Sequence, residues 1–170
     1  EFLMGSEDSD ADDNEAPEHT VTLDAFWIYK YEVTNEQYRS CIEAGECTGS
    51  LEDYLENNYP AVYIDWHEAD TYCTWAGGRL PTEAEWEKAA RGVDERKYPW
   101  GEKYPTCSLV NISNCVGETA PVGSYPAGTS PYGALDMAGN VWEWVADWRD
   151  ADYYASSPGT NPSGPAKGTV

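Results

Sequence analysis

Three times before position 93 the chain repeats one device: a short polar residue, a Gln or Glu three places on, an apolar stripe, then glycine. Thr34 with Gln37 precedes Tyr38, Cys41 and Ile42, with Gly45 as the stop. Asp65 with Glu68 precedes Ala69, Tyr72, Cys73 and Ala76, with Gly77-Gly78 as the stop. Thr82 with Glu85 precedes Trp86, Ala89 and Ala90, with Gly92 as the stop. In each capping box the two side chains satisfy each other's backbone N–H groups, and the terminal glycine supplies a conformation that a helix cannot continue through. Three short helices are therefore expected, with Cys73 facing inward at i+4 from Ala69.

After Gly92 the device stops. From Tyr98 onward the chain is rich in Gly, Pro, Asn and Trp, with brief apolar runs over 120–125 and 142–146. Long ordered loops pinned by aromatic anchors are expected there, and loops of that length in a compact domain are functional or metal-stabilised. Ahead of the helices, short strands are expected at 2–4 and 20–23 around an acidic, solvated loop over 7–18. An aromatic strand is expected over 25–31. The predicted class is α+β, a single domain over 1–170 with little regular secondary structure, its ends reading as cuts through a longer protein.

A chain of 170 residues buries roughly two-thirds of its unfolded surface. Eight Trp and thirteen Tyr against two Phe favour broad, hydrogen-bonded packing. Thirty-one Asp and Glu against ten Lys and Arg give a net charge of -21, which repels phosphate backbones and anionic lipid. Nucleic acid is excluded as a partner, and divalent cations or basic peptides are the natural ones. No apolar run approaches the roughly 18 residues of a membrane span, so membrane insertion is not expected. A monomer is expected.

Of five cysteines, Cys41 and Cys47 enclose a turn after the first helix, and Cys107 and Cys115 flank a Ser-, Asn- and Val-rich loop. Two local disulfides are the economical reading, with free buried thiols as the alternative, and Cys73 is left over. No C-x-x-C occurs and His19 and His67 lie far apart, which argues against structural zinc. Disulfides favour an extracytoplasmic compartment, periplasmic or secreted, although no signal region is visible in 1–170.

Seven segments, in order, carry a resemblance. They are Phe2-Leu3-Met4-Gly5-Ser6, Tyr31-Glu32-Val33-Thr34-Asn35, Gly78-Arg79-Leu80-Pro81-Thr82-Glu83-Ala84-Glu85-Trp86-Glu87, Tyr98-Pro99-Trp100-Gly101, Pro121-Val122-Gly123-Ser124, Asp136-Met137-Ala138-Gly139-Asn140-Val141-Trp142-Glu143-Trp144 and Asn161-Pro162-Ser163-Gly164-Pro165. Together they resemble the formylglycine-generating enzyme, or sulfatase-modifying factor, family over essentially the whole chain. The resemblance implies a fold related to C-type lectins. It also implies oxidation of a cysteine in a sulfatase's Cys-x-Pro-x-Arg segment to formylglycine, by oxygen and copper held by two cysteines. Those cysteines lie beyond the segment matched by 161–165, so copper is expected only in the complete protein, and no catalytic residue is assigned within 1–170. Cys73 matches a family half-cystine whose partner lies C-terminal to this segment.

The family also binds calcium, and the resemblance carries over two ligand sets. Asn111 and Asn114 would offer side-chain oxygens, with Ile112 and Val116 giving carbonyls. Asp136 and Glu143 would offer carboxylates, with Gly139 and Val141 giving carbonyls. Hard oxygen donors at about 2.3 to 2.6 Å are what calcium requires. The second set is the stronger, because the family often has Asp where Asn114 stands. Without the resemblance, Asp136 to Glu143 reads as a turn with solvated carboxylates. Asn140 is expected to hydrogen-bond the loop rather than touch metal. Trp142 and Trp144 fall on one side of an extended segment, as core or as the wall of a peptide groove, with core the expectation. Trp142, matching a family residue near the catalytic pocket, is the substrate-side candidate. Glu85 is read as a cap, Glu83 as a helix-start charge favoured by the dipole, and Arg79 as a salt-bridge partner to the acidic segments. The competing function is a non-catalytic, lectin-like ligand-binding or display module. A related iron-dependent sulfoxide-forming enzyme would need an upstream His-rich domain.

Overall fold

A computed structural model describes residues 1–8, 11–50 and 56–169. β1 (Phe2–Met4) and β2 (His19–Val21) pair antiparallel, with Phe2 opposite Val21 and Met4 opposite His19. Alternation turns Phe2, Met4 and Val21 inward, where they pack with Ala84 and Tyr154. Beyond Val21 the chain changes partner: the Thr22 N–H donates to the Gly159 carbonyl at 2.9 Å, and the Thr22 carbonyl accepts from Asn161 N at 2.9 Å. The strand expected over 20–23 therefore ends early. Of the loop expected over 7–18, Ser9 and Asp10 lie outside the described residues, and Asp13–Glu15 forms a short 3-10 turn.

The aromatic run 25–31 is not a strand. Its alternation is real, since Phe26 and Ile28 pack inward against Ala89, Ala90, Ala134 and Met137 while Trp27, Tyr29 and Tyr31 face out. What it lacks is a ladder. Its Lys30 carbonyl accepts instead from Leu135 N at 2.8 Å, in a loop. Periodicity fixed the facing, and the neighbour that would have made a sheet is irregular chain.

All three capping boxes form. They open α1 (Asn35–Glu43), α2 (Trp66–Trp75) and α3 (Glu83–Arg91). Thr34 Oγ1 accepts from Gln37 N at 3.3 Å and Gln37 returns the bond to Thr34 N at 2.9 Å. Asp65 and Glu68 exchange bonds of 2.9 and 3.0 Å, and Thr82 and Glu85 bonds of 3.2 and 2.9 Å. α1 and α2 bury Tyr38, Cys41 and Tyr72 with Cys47, and Cys73 packs half-buried against this cluster. The Cys41–Cys47 disulfide forms inside it, Cα atoms 5.2 Å apart. α3 ends at Gly92, whose φ of +76° suits glycine and whose missing side chain makes room for Pro131.

The rest is loop, interrupted by 3-10 turns at Pro126–Gly128 and Tyr153–Ser156 and closed by the Cys107–Cys115 disulfide, Cα atoms 5.4 Å apart. Indoles pin it as the Trp content suggested. Trp66 donates to the Val145 carbonyl, Trp100 to the Lys103 carbonyl and Trp144 to the Ile64 carbonyl, each at 2.8 Å. Near the C-terminal end one antiparallel bridge joins Arg149 and Thr169, and Val170 lies outside the described residues. Among the described residues no helix is long and apolar enough to cross a membrane.

Candidate functional site

The turn at 136–143 is shaped by three left-handed residues, Asp136 (φ 61°), Gly139 (φ 75°) and Asn140 (φ 59°). Gly139 admits no substitute: a Cβ there would collide with the Asn111 carbonyl and the Val110 side chain. That close approach locks the turn to the loop around Asn111. Asn140 N donates to the Asn111 carbonyl at 2.8 Å, and Asn111 Nδ2 donates to Asn140 Oδ1 at 3.0 Å. Asn140 also accepts from Ala120 N at 2.8 Å and donates to Glu32 at 2.7 Å and to the Ala120 carbonyl at 3.2 Å. Asn140 is thus the structural amide expected of it.

Glu32 is the residue that the reading of the sequence missed. It is buried at 8% exposure, and its Oε1 has no hydrogen-bond partner. Burial pushes its pKa up to about 8; the Asn140 amide and the Val141 N–H pull it down, while the carboxylates of Asp136 and Glu143 push it up. Asp136 is equally buried and accepts from Gly123 N at 2.6 Å, with its pKa raised by burial. Glu143 stands in a pocket with protein on most sides yet open to solvent; that crowding pushes its pKa up to about 7, against the indole N–H of Trp86 at 2.9 Å. A signal for Glu32 was present: it is the one carboxylate in an aromatic and β-branched run next to a helix cap.

Three carboxyl groups in mutual electrostatic reach, one oxygen of each committed to an N–H, suit a hard cation. The buried orphan Oε1 of Glu32 is the observation that favours one. Among the described residues, no three His, Cys, Asp or Glu side chains are already gathered closely enough to hold a metal alone. Carbonyls such as those of Gly139 and Val141 would have to complete the shell. The first ligand set fits less well. Asn111 is buried with its Oδ1 unpartnered, but the Ile112 carbonyl already accepts from Cys115 N at 2.8 Å, and Asn114 and Val116 lie on the surface.

Beside the acids opens a cavity of about 730 Å³, walled by Tyr29, Tyr38, Tyr72, Trp86, Met137 and Trp144 among others, with Glu32, Glu143 and Cys73 on its lining. Trp142 is fully exposed at its edge, and Trp144 and Trp148 are also exposed, so the core expected of this tryptophan series is replaced by a wall and a rim. The reason is that 141–147 is held from behind through its main chain and its acids, and of its rings Trp144 is held through the indole bond to the Ile64 carbonyl. Besides the indole bonds from Trp66 and Trp86, Ala146 N donates to the Pro81 carbonyl at 2.8 Å and Glu83 N to Asp147 at 2.8 Å. Arg79 pairs with Glu85 through two bonds of 2.7 Å, more locally than expected.

A sequence model described as Sulfatase-modifying factor enzyme 1-like domain matches residues 1–169. The chain belongs to this family. Its relatives include a formylglycine-generating enzyme of Thermomonospora curvata, 34% identical over 99% of this chain and 77% of the relative. A serine/threonine-protein kinase of Chlamydia caviae is 37% identical over 98% of this chain and 30% of its own length. A hercynine oxygenase of Mycolicibacterium thermoresistibile is 37% identical over 85% of this chain and 41% of its own length. The chain thus spans about three quarters of the first relative and under half of the other two. In three dimensions it resembles Treponema denticola variable protein 1, with a TM-score of 0.75 and 22% identity over 99% of this chain and 77% of that one, a likeness of fold.

Within this sulfatase-modifying factor domain the cysteines do not fit copper. Four are paired in disulfides. Cys73 is a lone thiol whose pKa is raised by burial and then by Asp70, which disfavours the thiolate.

Proposed function

We propose that the protein is a formylglycine-generating oxidase-like enzyme acting on a protein cysteine in a Cys-x-Pro-x-Arg segment. In this reading residues 1–170 supply the scaffold and the substrate-facing wall, and a copper-binding cysteine pair comes from outside them. The observation that carries it is the aromatic cavity edged by Trp142 and backed by the acids of 136–143, in a chain matched to this family over 1–169. The aromatic wall would bury the apolar part of a peptide, and the chain's charge of -21 would draw in its basic residue.

Calcium belongs to the same proposal. Asp136, Gly139, Val141 and Glu143 would hold one ion, with Glu32 supplying a further oxygen, and Asn111, Ile112, Asn114 and Val116 would hold a weaker second. The ion's part is to neutralise buried acids and fix the backbone that presents Trp142. The two disulfides support an extracytoplasmic location.

The test is mass spectrometry of a Cys-x-Pro-x-Arg peptide incubated with copper-loaded full-length protein and oxygen. The expected product carries an aldehyde where the CH2–SH was. A second reading, a non-catalytic module that binds or displays ligands, is favoured by the fully exposed rings of Trp27, Tyr63 and Trp142. Peptide binding without any aldehyde would select it.

A further inference from the structure

On either side of the aromatic run the extended chain finds a partner. Thr22 bridges to Thr160 in parallel, and Thr34 bridges to Pro60 antiparallel. Between them, 25–29 runs without turn or bend along the lining of the cavity. Among the described residues, no main-chain N–H or C=O of this stretch meets a protein partner, and the next group that does is the Lys30 carbonyl. Backbone groups left in this state are satisfied by water or by another strand, so 25–29 is an open edge.

The side chains hold that edge in place. Phe26 and Ile28 pack into the core against Ala89, Ala90, Ala134 and Met137, which keeps the run from rolling. Trp27, fully exposed, and Tyr29, half exposed, stand on the opposite face. The hydroxyls of Tyr29 and Tyr72 share a hydrogen bond, so this ring is placed before any ligand arrives. We propose, resting on the function given above, that the edge 25–29 takes the Cys-x-Pro-x-Arg peptide as an added strand, its backbone paired with that of 25–29 and its side chains met by Trp27 and Tyr29.

The spacing of the segment fixes which of its residues would pair. Proline has no N–H to give, so in an added strand its nitrogen points away from the edge. Successive residues of a strand turn their main-chain groups to opposite sides, so the two x residues that flank the proline carry the bonds to 25–29. Cys, Pro and Arg then share one face of the peptide, at the two-residue spacing that separates Trp27 from Tyr29. The chain's charge of -21 favours the arginine.

The test uses copper-loaded full-length protein and a Ser-x-Pro-x-Arg peptide, which keeps the backbone and carries no thiol to oxidise. In titration calorimetry, N-methylation of either x residue should weaken binding by about tenfold or more, and N-methylation of the arginine by less than about threefold. Hydrogen exchange at alternate amides within 25–29 should be fast in the free protein and about tenfold slower at saturating peptide. Equal losses at every N-methylated position, or amides that the peptide leaves unchanged, overturn the docking edge while the proposed function stands. Amides already protected without peptide overturn it too, because another segment or a second copy then fills the edge. A serine peptide that fails to bind also overturns it, and if the cysteine peptide is left unconverted as well, the proposed function falls with it.

Discussion

Asn140 donates to Glu32 at 2.7 Å across 108 residues of chain, and it does so from a backbone φ of 59°. This one bond joins the run before α1 to the turn of the candidate site. The same side chain satisfies Ala120 N and Asn111, so its removal strands several buried groups at once. Asn140→Ala should cost about 3 kcal/mol or more in denaturant-unfolding free energy. A loss under about 1 kcal/mol would mean that water replaces the amide readily.

Trp142 behaves in the opposite way. Because its side chain is fully exposed, Trp142→Ala should change the unfolding free energy by no more than about 0.5 kcal/mol. In titration calorimetry with a Cys-x-Pro-x-Arg peptide, the same variant should weaken binding by about tenfold. Loss of stability without loss of affinity would return this residue to a purely structural role.

Calcium should raise the thermal midpoint of the protein and a chelator should lower it, with a stabilisation of about 2.7 kcal/mol when calcium is 100-fold above its Kd. Glu32→Gln and Asp136→Asn should each reduce that increment. Terbium luminescence sensitised by Trp86 offers an independent readout, since its indole contacts Glu143. If neither the midpoint nor the luminescence responds to the ion, the calcium assignment is wrong.

Glu85 is a buried acid whose stabilising effect belongs to its charged form. Burial acts to raise its pKa, but the Arg79 guanidinium and the Thr82 N–H together hold it below the usual value. Its contribution is present above about 4.5 and disappears as pH falls below that. Glu85→Gln should destabilise the protein by about 1 to 2 kcal/mol at pH 7, discounted for the exposure of Arg79, and by progressively less as pH falls below about 4.5. Unfolding midpoints of both proteins across that range decide it.

What was legible in the sequence was local. A capping box spans three residues, and the disulfides span six and eight, so pattern alone located them. Glu32 stood out in the sequence only as a carboxylate in an aromatic run, because its meaning lies in Asn140, Asp136 and Glu143, brought to it by a fold with almost no ladders to count. The run 25–31 shows the same limit: alternation revealed which rings face in, while the partner was an irregular loop around Leu135. Trp142 and Trp144 were misplaced because an extended segment has two faces, and only the bonds from α2 and α3 decide which one is held.

Several of the bonds that hold the chain around the cavity end on main-chain atoms: Trp66 on the carbonyl of Val145, Ala146 N on that of Pro81, Trp144 on that of Ile64. A main-chain acceptor is the same whatever residue carries it. Positions along the rim are therefore free to change chemistry with little effect on the frame that displays them. Such a framework can diversify at its rim without having to refold first, and it need not be tied to a single reaction.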